Sequence, residues 1–339
     1  MAPPSVLVVG GGAVGCFYAS RLAQSACRTA LVCRSNYDAV KTGGVDMRTH
    51  SFGDYKYVPD DVFPSVDAAG GTPWDFVIVA TKALSMDPED ARRLVGPTVH
   101  ERTTLVIVQN GVLVEEPFRA AFPTAPIVSA VTIISAALTG ASVVEQFRWT
   151  RISFGAYTDL QGDARTAEQR ALRTRAEAGV KTLVALLSDG GVRDAEACDA
   201  RALQFVRWHK LCINASMNVS GVLAGCLGNA EMVRDPALRA HIRACMYEVL
   251  AAATPIFGEA LPDKFASPDA ILRSTERNTG SKSSMVQDWE LHRPLELDAI
   301  LGNALRIAEE HDASMPRLQT MYALLQRAQD VRLDAHSGS

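Results

Sequence analysis

The feature that most constrains the fold is a glycine-rich turn near the start of the chain. An apolar run at residues 6–9 leads directly into Gly10-Gly11-Gly12-Ala13-Val14-Gly15, and a helical pattern follows. Glycines at the first, third and sixth positions permit a tight turn, a close approach to a pyrophosphate and close helix packing. Such a motif is weak alone, but its place at the first strand-to-helix junction favours a dinucleotide site over a plain glycine loop. The candidate cofactor-binding residues here are Gly10, Gly12, Ala13, Val14 and Gly15.

Short apolar runs alternate with helical patterns through the first half of the chain. They predict strands at residues 6–9, 29–33, 76–80, 105–108 and 127–131. Strands spaced by helices predict a parallel sheet with helices on both faces. From about Ala197 the strand signal disappears, and helices follow one another, with breaks expected near residues 235–236, 255–258, 261–262, 267–268 and 294. We therefore predict an α/β domain of Rossmann type over residues 1–196 and an all-helical domain over residues 197–339.

Composition excludes several classes of partner. The chain has 339 residues, 47% hydrophobic, and a formal charge of -4. This charge provides no diffuse basic field, so nucleic acid is not expected as a partner. Because no apolar run approaches the length of a membrane span and no basic region precedes the first one, we expect a soluble cytoplasmic protein that does not bind a membrane. The seven cysteines lack a C-x-x-C pair, which argues against a disulfide framework and against a zinc site.

The end of the second predicted strand indicates which dinucleotide is bound. A cofactor with a free 2′-hydroxyl usually meets Asp or Glu about 20 residues beyond the glycines. Here the chain reads Cys33-Arg34-Ser35-Asn36. The Arg34 guanidinium can hold a 2′-phosphate through two charge-assisted hydrogen bonds, so we expect NADPH. The alternative is that Arg34 is only a solvated loop residue.

Two further strands are followed by polar residues. Thr81-Lys82 comes after the strand at 76–80, and Gln109-Asn110-Gly111 comes after the strand at 105–108. In open parallel sheets, ligands bind beyond the carboxyl ends of the strands, so these side chains are placed to reach a cofactor or a substrate. Each of them could also be an ordinary turn residue, and Asn-Gly is a common turn dipeptide.

A mostly apolar segment carries one ammonium group and two amides at four-residue intervals. In an α-helix, Lys210, Asn214 and Asn218 would form one stripe. An amphipathic surface helix is a fair alternative, but few other charges occur between residues 202 and 227. A lysine that is partly desolvated has a lowered pKa, which suits proton donation near neutral pH.

Several ordered motifs together resemble the ketopantoate reductase (2-dehydropantoate 2-reductase) family. The segment "WHKLCINASMN" is similar to that family's Lys signature, which has Asn four and eight positions on. The run 283–288, "SSMVQD", and "PLELD" at 294–298 resemble its S-S-M-x-Q-D and E-I-D elements, with twelve residues from Ser284 to Glu296. With the glycine turn, Thr81-Lys82 and Gln109-Asn110-Gly111, the resemblance covers nearly the whole chain.

The resemblance implies roles for individual residues. Lys210 would be the general acid, and Glu296 would bind and orient the substrate. Asn214, Asn218 and Ser284 would hydrogen-bond the substrate, Asn110 would lie where cofactor and substrate meet, and Lys82 would lie near the cofactor. It also implies a helical domain of the 6-phosphogluconate-dehydrogenase-like class and reduction of 2-dehydropantoate by NADPH, as in pantothenate biosynthesis. A homodimer is possible on this sequence.

The position of Glu296 relative to Ser284 depends on where a helix begins. Twelve residues of unbroken helix would place Ser284 and Glu296 about 120° apart, so they would not share a face. We expect Pro294 to start a new helix with Glu296 in its first turn, where the helix dipole favours the ionised carboxylate. The common alternative is a capping glutamate that binds no ligand.

Departures from the family pattern leave the substrate open. Leu301-Gly302 stands where the family often has Asn-Gly, and residues 146–149 include the bulky Phe147 and Trp149. A larger or less polar oxo acid, another carbonyl or an imine would suit a modified pocket. A non-catalytic NADP(H)-sensing protein is an alternative of another class, since one fold can host many functions.

Overall fold

A computed structural model describes residues 3–25, 27–157 and 166–337 of the chain. Two local expectations fall outside this range in whole or in part. The sequence suggests a surface loop at residues 158–162, which lies outside the described residues, and a frayed end at residues 335–339, which lies partly outside them.

The chain divides into two compact units. The α/β unit comprises Met1–Gln109 and Val114–Leu203, and the helical unit comprises Asn110–Leu113 and Gln204–Ser339. The succession of an α/β unit and an all-helical unit confirms the predicted fold class. The predicted domain boundary between residues 196 and 197 stays a prediction. We call residues 110–113 the strap, because this short segment packs with helical residues that lie 96 to 191 positions away in sequence.

Strands and helices of the α/β unit alternate along most of its length. Its strands within the described residues are β1 (Ser5–Val9), β2 (Arg28–Val32), β3 (Val45–Thr49), β4 (Gly53–Tyr57), β5 (Asp61–Phe63), β6 (Phe76–Val79), β7 (Thr104–Ile107), β8 (Ile127–Leu138), β9 (Val143–Ala156) and β10 (Ala195–Ala197). Its helices there are α1 (Ala13–Ala23), α2 (Tyr37–Gly43), α3 (Val66–Ala69), α4 (Pro88–Val95), α5 (Glu116–Ala121) and α6 (Ala167–Asp189), with a 3₁₀ turn at Gly96–Thr98.

All the strands join one mixed sheet. Its order is β4-β3-β9-β8-β7-β6-β1-β2-β5, and β10 also pairs with β9. The segment from β8 through β7, β6, β1 and β2 to β5 is parallel, as predicted. The expectation of a wholly parallel sheet is wrong, because β3–β4 and β8–β9 pair antiparallel. The connections of these two pairs are too short for the crossover that parallel pairing requires.

Helix α6 shows how the sheet is covered. It begins with a capping box in which Thr166 and Gln169 exchange side-chain and backbone hydrogen bonds. Its buried residues Val180, Leu183 and Leu187 recur at helical spacing and belong to the apolar core that contains the sheet residues. This stripe of α6 therefore forms one part of the core of the unit, together with residues of α1 and the strands.

The second unit is built from helices joined by short turns. Its elements within the described residues are α7 (Ala200–Ile213), a first π turn (Asn214–Asn218), α8 (Val219–Leu223), α9 (Asn229–Arg234), α10 (Pro236–Phe257), α11 (Pro268–Thr275), α12 (Ser284–Glu290), a second π turn (Asp298–Gly302), α13 (Asn303–Glu310) and α14 (Pro316–Ser337). Helix α10 includes Pro255 and ends at Phe257, with Gly258 as its left-handed C-cap, so the break predicted at residues 255–258 is confirmed. Pro255 lies in the last turn of α10, where one lost hydrogen bond disturbs little helix.

The strap is held tightly against the second π turn. The Val112 N–H donates to the Ala299 carbonyl over 2.9 Å. Gly111 has a φ of +96°, and a Cβ added there would lie 2.1 Å from the Ala299 oxygen. Only glycine satisfies both conditions, so the Asn-Gly dipeptide is here a packing element as well as a turn.

Gly111→Ala should therefore destabilise the protein more than a positive φ alone explains. Gly140→Ala is the matched control, because Gly140 has a φ of +86° and nothing within 4 Å of an added Cβ. We expect Gly140→Ala to cost about 1 kcal/mol of unfolding free energy and Gly111→Ala about 2 kcal/mol more. Urea denaturation of both variants measures the difference, and equal losses would contradict the close packing of Gly111.

Candidate active site

The glycine turn has the geometry of a phosphate cradle. Gly10 has a φ of +119°, and a Cβ at Gly15 would lie 2.1 Å from the Gly10 carbonyl oxygen. A Cβ at Gly12 would meet nothing within 4 Å, so there is open space at the start of α1, which begins at Ala13. The N-terminal amides of Ala13, Val14 and Gly15 begin this helix and favour an anion there. The turn therefore fits a dinucleotide.

Asn36 is a residue of this cradle that the sequence analysis missed. Its side-chain amide donates to the Gly11 carbonyl over 2.9 Å, and Asn36 is buried. The bond ties the turn after β2 to the glycine turn after β1. The position of Asn36, two residues after Arg34 at the end of β2, could have suggested a role near the cofactor. An asparagine in a turn usually bonds to neighbouring backbone groups, however, so its residue type alone does not indicate this contact.

The other predicted residues of the α/β unit lie at strand ends. Arg34 is exposed just beyond β2, as a ligand for a 2′-phosphate would be. Lys82 is half-buried beyond β6. The Gln109 side-chain amide, beyond β7, donates to the Thr81 hydroxyl over 3.4 Å, so two adjacent strand ends are linked.

The helical unit brings three predicted residues together. The Lys210 ammonium donates to Asn110 Oδ1 over 2.8 Å, and Asn110 Nδ2 donates to Glu296 Oε2 over 3.4 Å. These contacts join α7, the strap and the segment before the second π turn. They also orient the Asn110 carboxamide, with its oxygen towards the cation and its nitrogen towards the anion.

Electrostatics tune the lysine of this network. The pKa of Lys210 is lowered from its usual 10.5 to about 8, chiefly by burial and also by the guanidinium of Arg207, one turn earlier on α7, while the Glu296 carboxylate opposes the shift. Burial and like charge both disfavour an ammonium ion. The resulting lysine holds a proton at neutral pH and releases it far more readily than an exposed lysine.

Asn214 and Asn218 occur in a different backbone geometry from the one expected. A π turn covers Asn214–Asn218, so the predicted unbroken α-helical stripe is wrong. Each π turn takes one extra residue, which displaces the following side chains from their α-helical positions. Among the described residues, neither carboxamide makes a side-chain hydrogen bond, so both retain capacity for a ligand.

Glu296 and Ser284 also differ from the sequence-based picture. Glu296 is buried, with 6% of its surface exposed, and it lies two residues before the second π turn rather than in the first turn of a helix begun by Pro294. The Leu295 N–H donates to the Gln329 side-chain oxygen over 2.7 Å, and the Glu296 carbonyl accepts from the Ile300 N–H, so the helical hydrogen bonds begin at Glu296. Ser284 is exposed at the start of α12, and Ser283 caps that helix.

Two buried residues in contact with the strap were not predicted. Arg207 donates from Nη1 to the Gly111 carbonyl over 2.9 Å. Asn303, the first residue of α13, donates from Nδ2 to the Val112 carbonyl over 2.9 Å. Neither residue belongs to a recognisable sequence motif. Each bonds to a backbone carbonyl, and only the fold brings that carbonyl close.

The cysteines, the possible metal ligands and the lengths of the helices also characterise the chain. The seven cysteines are free thiols. Within the described ranges, no cluster of three His, Cys, Asp or Glu side chains is placed to hold a metal ion. In the same ranges, every helix is too short or too polar to cross a membrane.

Comparison with known proteins establishes the family. The two descriptions that match are "Ketopantoate reductase PanE/ApbA" over residues 6–159 and "Ketopantoate reductase PanE/ApbA C terminal" over residues 202–329. The fold and the two matches show a family of oxidoreductases with an α/β unit and a helical unit. This chain belongs to the ketopantoate reductase family.

Individual relatives are distant but extend over the whole chain. The 2-dehydropantoate 2-reductase of Nostoc is 25% identical over 93% of this chain and 92% of its own length. The meiotically up-regulated gene 72 protein of Schizosaccharomyces pombe is 26% identical over 98% of this chain, which spans only 58% of that protein. The crystal structure of 2-dehydropantoate 2-reductase from Methylococcus capsulatus superposes with a TM-score of 0.79 at 28% identity, covering 97% of both chains.

The network predicts a titration that can be observed without any substrate. In protein whose lysines carry ¹³C-methyl groups, the resonance lost in Lys210→Arg should titrate near pH 8, where exposed lysines remain charged. Glu296→Gln should move this pKa lower, because the carboxylate that favours the ammonium is removed. Glu309→Gln, an exposed position on α13, should leave it unchanged. A Lys210 pKa near 10 would contradict the desolvation of this ammonium group.

Proposed function

We propose that this protein reduces a 2-oxo acid to a 2-hydroxy acid with NADPH, and that 2-dehydropantoate, reduced to pantoate, is its substrate. The observation that carries the proposal is the Lys210–Asn110–Glu296 network, with its oriented carboxamide and its lysine of lowered pKa. The family match and the glycine cradle support the same reaction class.

Lys210 supplies the proton in this proposal. Reduction of the carbonyl group turns its oxygen into an alkoxide, which needs positive charge and then a proton. A lysine with a pKa of about 8 is charged at neutral pH and is a better proton donor than an ordinary lysine. NADPH, when bound, supplies the hydride for C2 of the oxo acid.

The remaining side chains of the site bind and orient the substrate. The Asn214 and Asn218 carboxamides offer donors for a carboxylate, and the exposed Ser284 hydroxyl adds another. Glu296 serves two roles, since its carboxylate accepts from Asn110 and can also accept a substrate hydroxyl. Such a hydroxyl group is present in 2-dehydropantoate and absent from simpler oxo acids.

NADPH rather than NADH is supported by the residues at the end of β2. Arg34 is exposed there, and no Asp or Glu stands in the run 33–36 that could receive a ribose 2′-hydroxyl. Lys82, beyond β6, adds a second cation to the strand ends. A homodimer remains a separate prediction.

Two alternatives remain distinct from this proposal. A family relative with another carbonyl or imine substrate would keep Lys210 and differ in the groups that contact the substrate. A non-catalytic NADP(H)-sensing protein would need the dinucleotide cradle alone, so the hydrogen-bonded Lys–Asn–Glu network weighs against it.

Turnover tests the substrate and the role of Lys210 together. Purified protein should oxidise NADPH with 2-dehydropantoate, and Lys210→Met should reduce kcat by about 10³-fold, because the proton donor is lost while the side-chain stem is kept. NADPH affinity, measured by fluorescence titration, should stay within about twofold. Lys181→Met, at an exposed position on α6, is the control.

The outcomes of this experiment separate the alternatives. Activity with other oxo acids or imines only would replace the proposed substrate. NADPH binding without turnover on any of them would favour the sensor, and full activity in Lys210→Met would remove the lysine from the mechanism.

Arg34 should determine the choice between the two dinucleotides. Arg34→Ala should weaken NADPH binding by about tenfold and leave NADH binding nearly unchanged, because only NADPH carries the 2′-phosphate. Arg48→Ala removes another exposed arginine of the same unit and should change neither affinity. Equal affinities of Arg34→Ala and the parent protein for NADPH would assign the phosphate to other residues.

A further inference from the structure

The position of Asn110 depends on residues outside the proposed reaction chemistry. Asn110 follows β7 in the chain, yet it packs as part of the strap with the helical unit. Its carboxamide can join Lys210 to Glu296 only if the strap backbone is held in place. The contacts that hold this backbone therefore affect the network indirectly.

Both carbonyl groups in the middle of the strap accept from buried side chains of the helical unit. Arg207 Nη1 donates to the Gly111 oxygen and Asn303 Nδ2 to the Val112 oxygen, each over 2.9 Å. Arg207 and Asn303 expose only 4% and 6% of their surfaces. Buried donors of this kind are costly to leave unpaired, so both bonds constrain the strap.

A backbone hydrogen bond to the second π turn also holds the strap. The Val112 N–H bonds to the Ala299 carbonyl, and Gly111 contacts the same peptide group. Residue Asn303 follows directly on the second π turn, which contains Ala299. One short helical segment thus accepts from the strap and donates to it.

We propose that Arg207 and Asn303 are positioning residues that clamp the strap, so that the Asn110 carboxamide is fixed between Lys210 and Glu296. The inference rests on the proposed function, because the clamp matters for rate only if Lys210 delivers the proton. Neither residue is assigned a contact with substrate or cofactor. As clamp residues they act through the backbone next to Asn110, separately from the effect of the Arg207 charge on the pKa of Lys210.

Two variants remove the clamp with little change of volume or charge. Asn303→Leu keeps the size of the side chain and loses the donor, and Arg207→Lys keeps the positive charge that acts on Lys210 but loses the planar fork. We expect each to lower kcat by about tenfold or more, because small displacements of reacting groups are costly. NADPH affinity and the pH at which activity falls should stay close to those of the parent protein.

Hydrogen exchange provides a readout that needs no turnover. The peptide containing residues 110–113 should exchange faster in Asn303→Leu and Arg207→Lys, since the Val112 amide is bonded within the clamped strap. Arg239→Lys is the matched control: Arg239 also donates to a backbone carbonyl of the helical unit, that of Val233, over 3.2 Å. It should change neither kcat nor exchange in the strap.

The results distinguish failure of the clamp from failure of the proposed function. Unchanged exchange in the strap, or faster exchange with unchanged kcat, would overturn the clamp. If the parent protein reduces no oxo acid, the proposed function fails while exchange still reports on the strap. Should Asn303→Leu lose its fold, as judged by circular dichroism, Arg207→Lys decides the outcome.

Discussion

The site depends on one hydrogen bond, from the Lys210 ammonium to the Asn110 carboxamide oxygen. A half-buried cation one helical turn from a second cation, Arg207, is unfavourable unless an acceptor and an opposite charge compensate for it. Asn110 provides the acceptor and Glu296 the charge, and the same carboxamide joins the two. The balance leaves a lysine with a pKa of about 8, suited to proton donation.

The two π turns explain how a helical unit can accommodate this arrangement. One contains the predicted substrate ligands Asn214 and Asn218, and the other presents the Ala299 carbonyl to the strap. In a regular α-helix, the backbone carbonyls would accept hydrogen bonds from N–H groups of the same helix. Irregular turns of this type are often found at functional sites because they free a carbonyl or turn a side chain without ending the helix.

Strands were predicted correctly from the sequence where burial gives a continuous apolar run. The apolar runs that became β1, β2, β6, β7 and β8 are continuous because these strands are buried, as in most parallel sheets. β9 was missed because its middle, at residues 147–151, is largely exposed and carries two arginines, and short strands such as β5 and β10 are specified mainly by their neighbours. Glu296 was identified, but it lies two residues before the second π turn rather than in the first turn of a helix begun by Pro294.

The sequence alone determined the features that need only neighbouring residues: the glycine turn, the cation after β2, the lysine and asparagines near one another on one helical segment, and the order of the two units. Tertiary structure alone decided that the strap packs with the helices, that Asn110 bridges Lys210 and Glu296, and that Arg207 and Asn303 hold the backbone between them. The physical reason is that a side chain's bond to a backbone carbonyl far along the chain has no residue-type signature, because every peptide group offers the same oxygen.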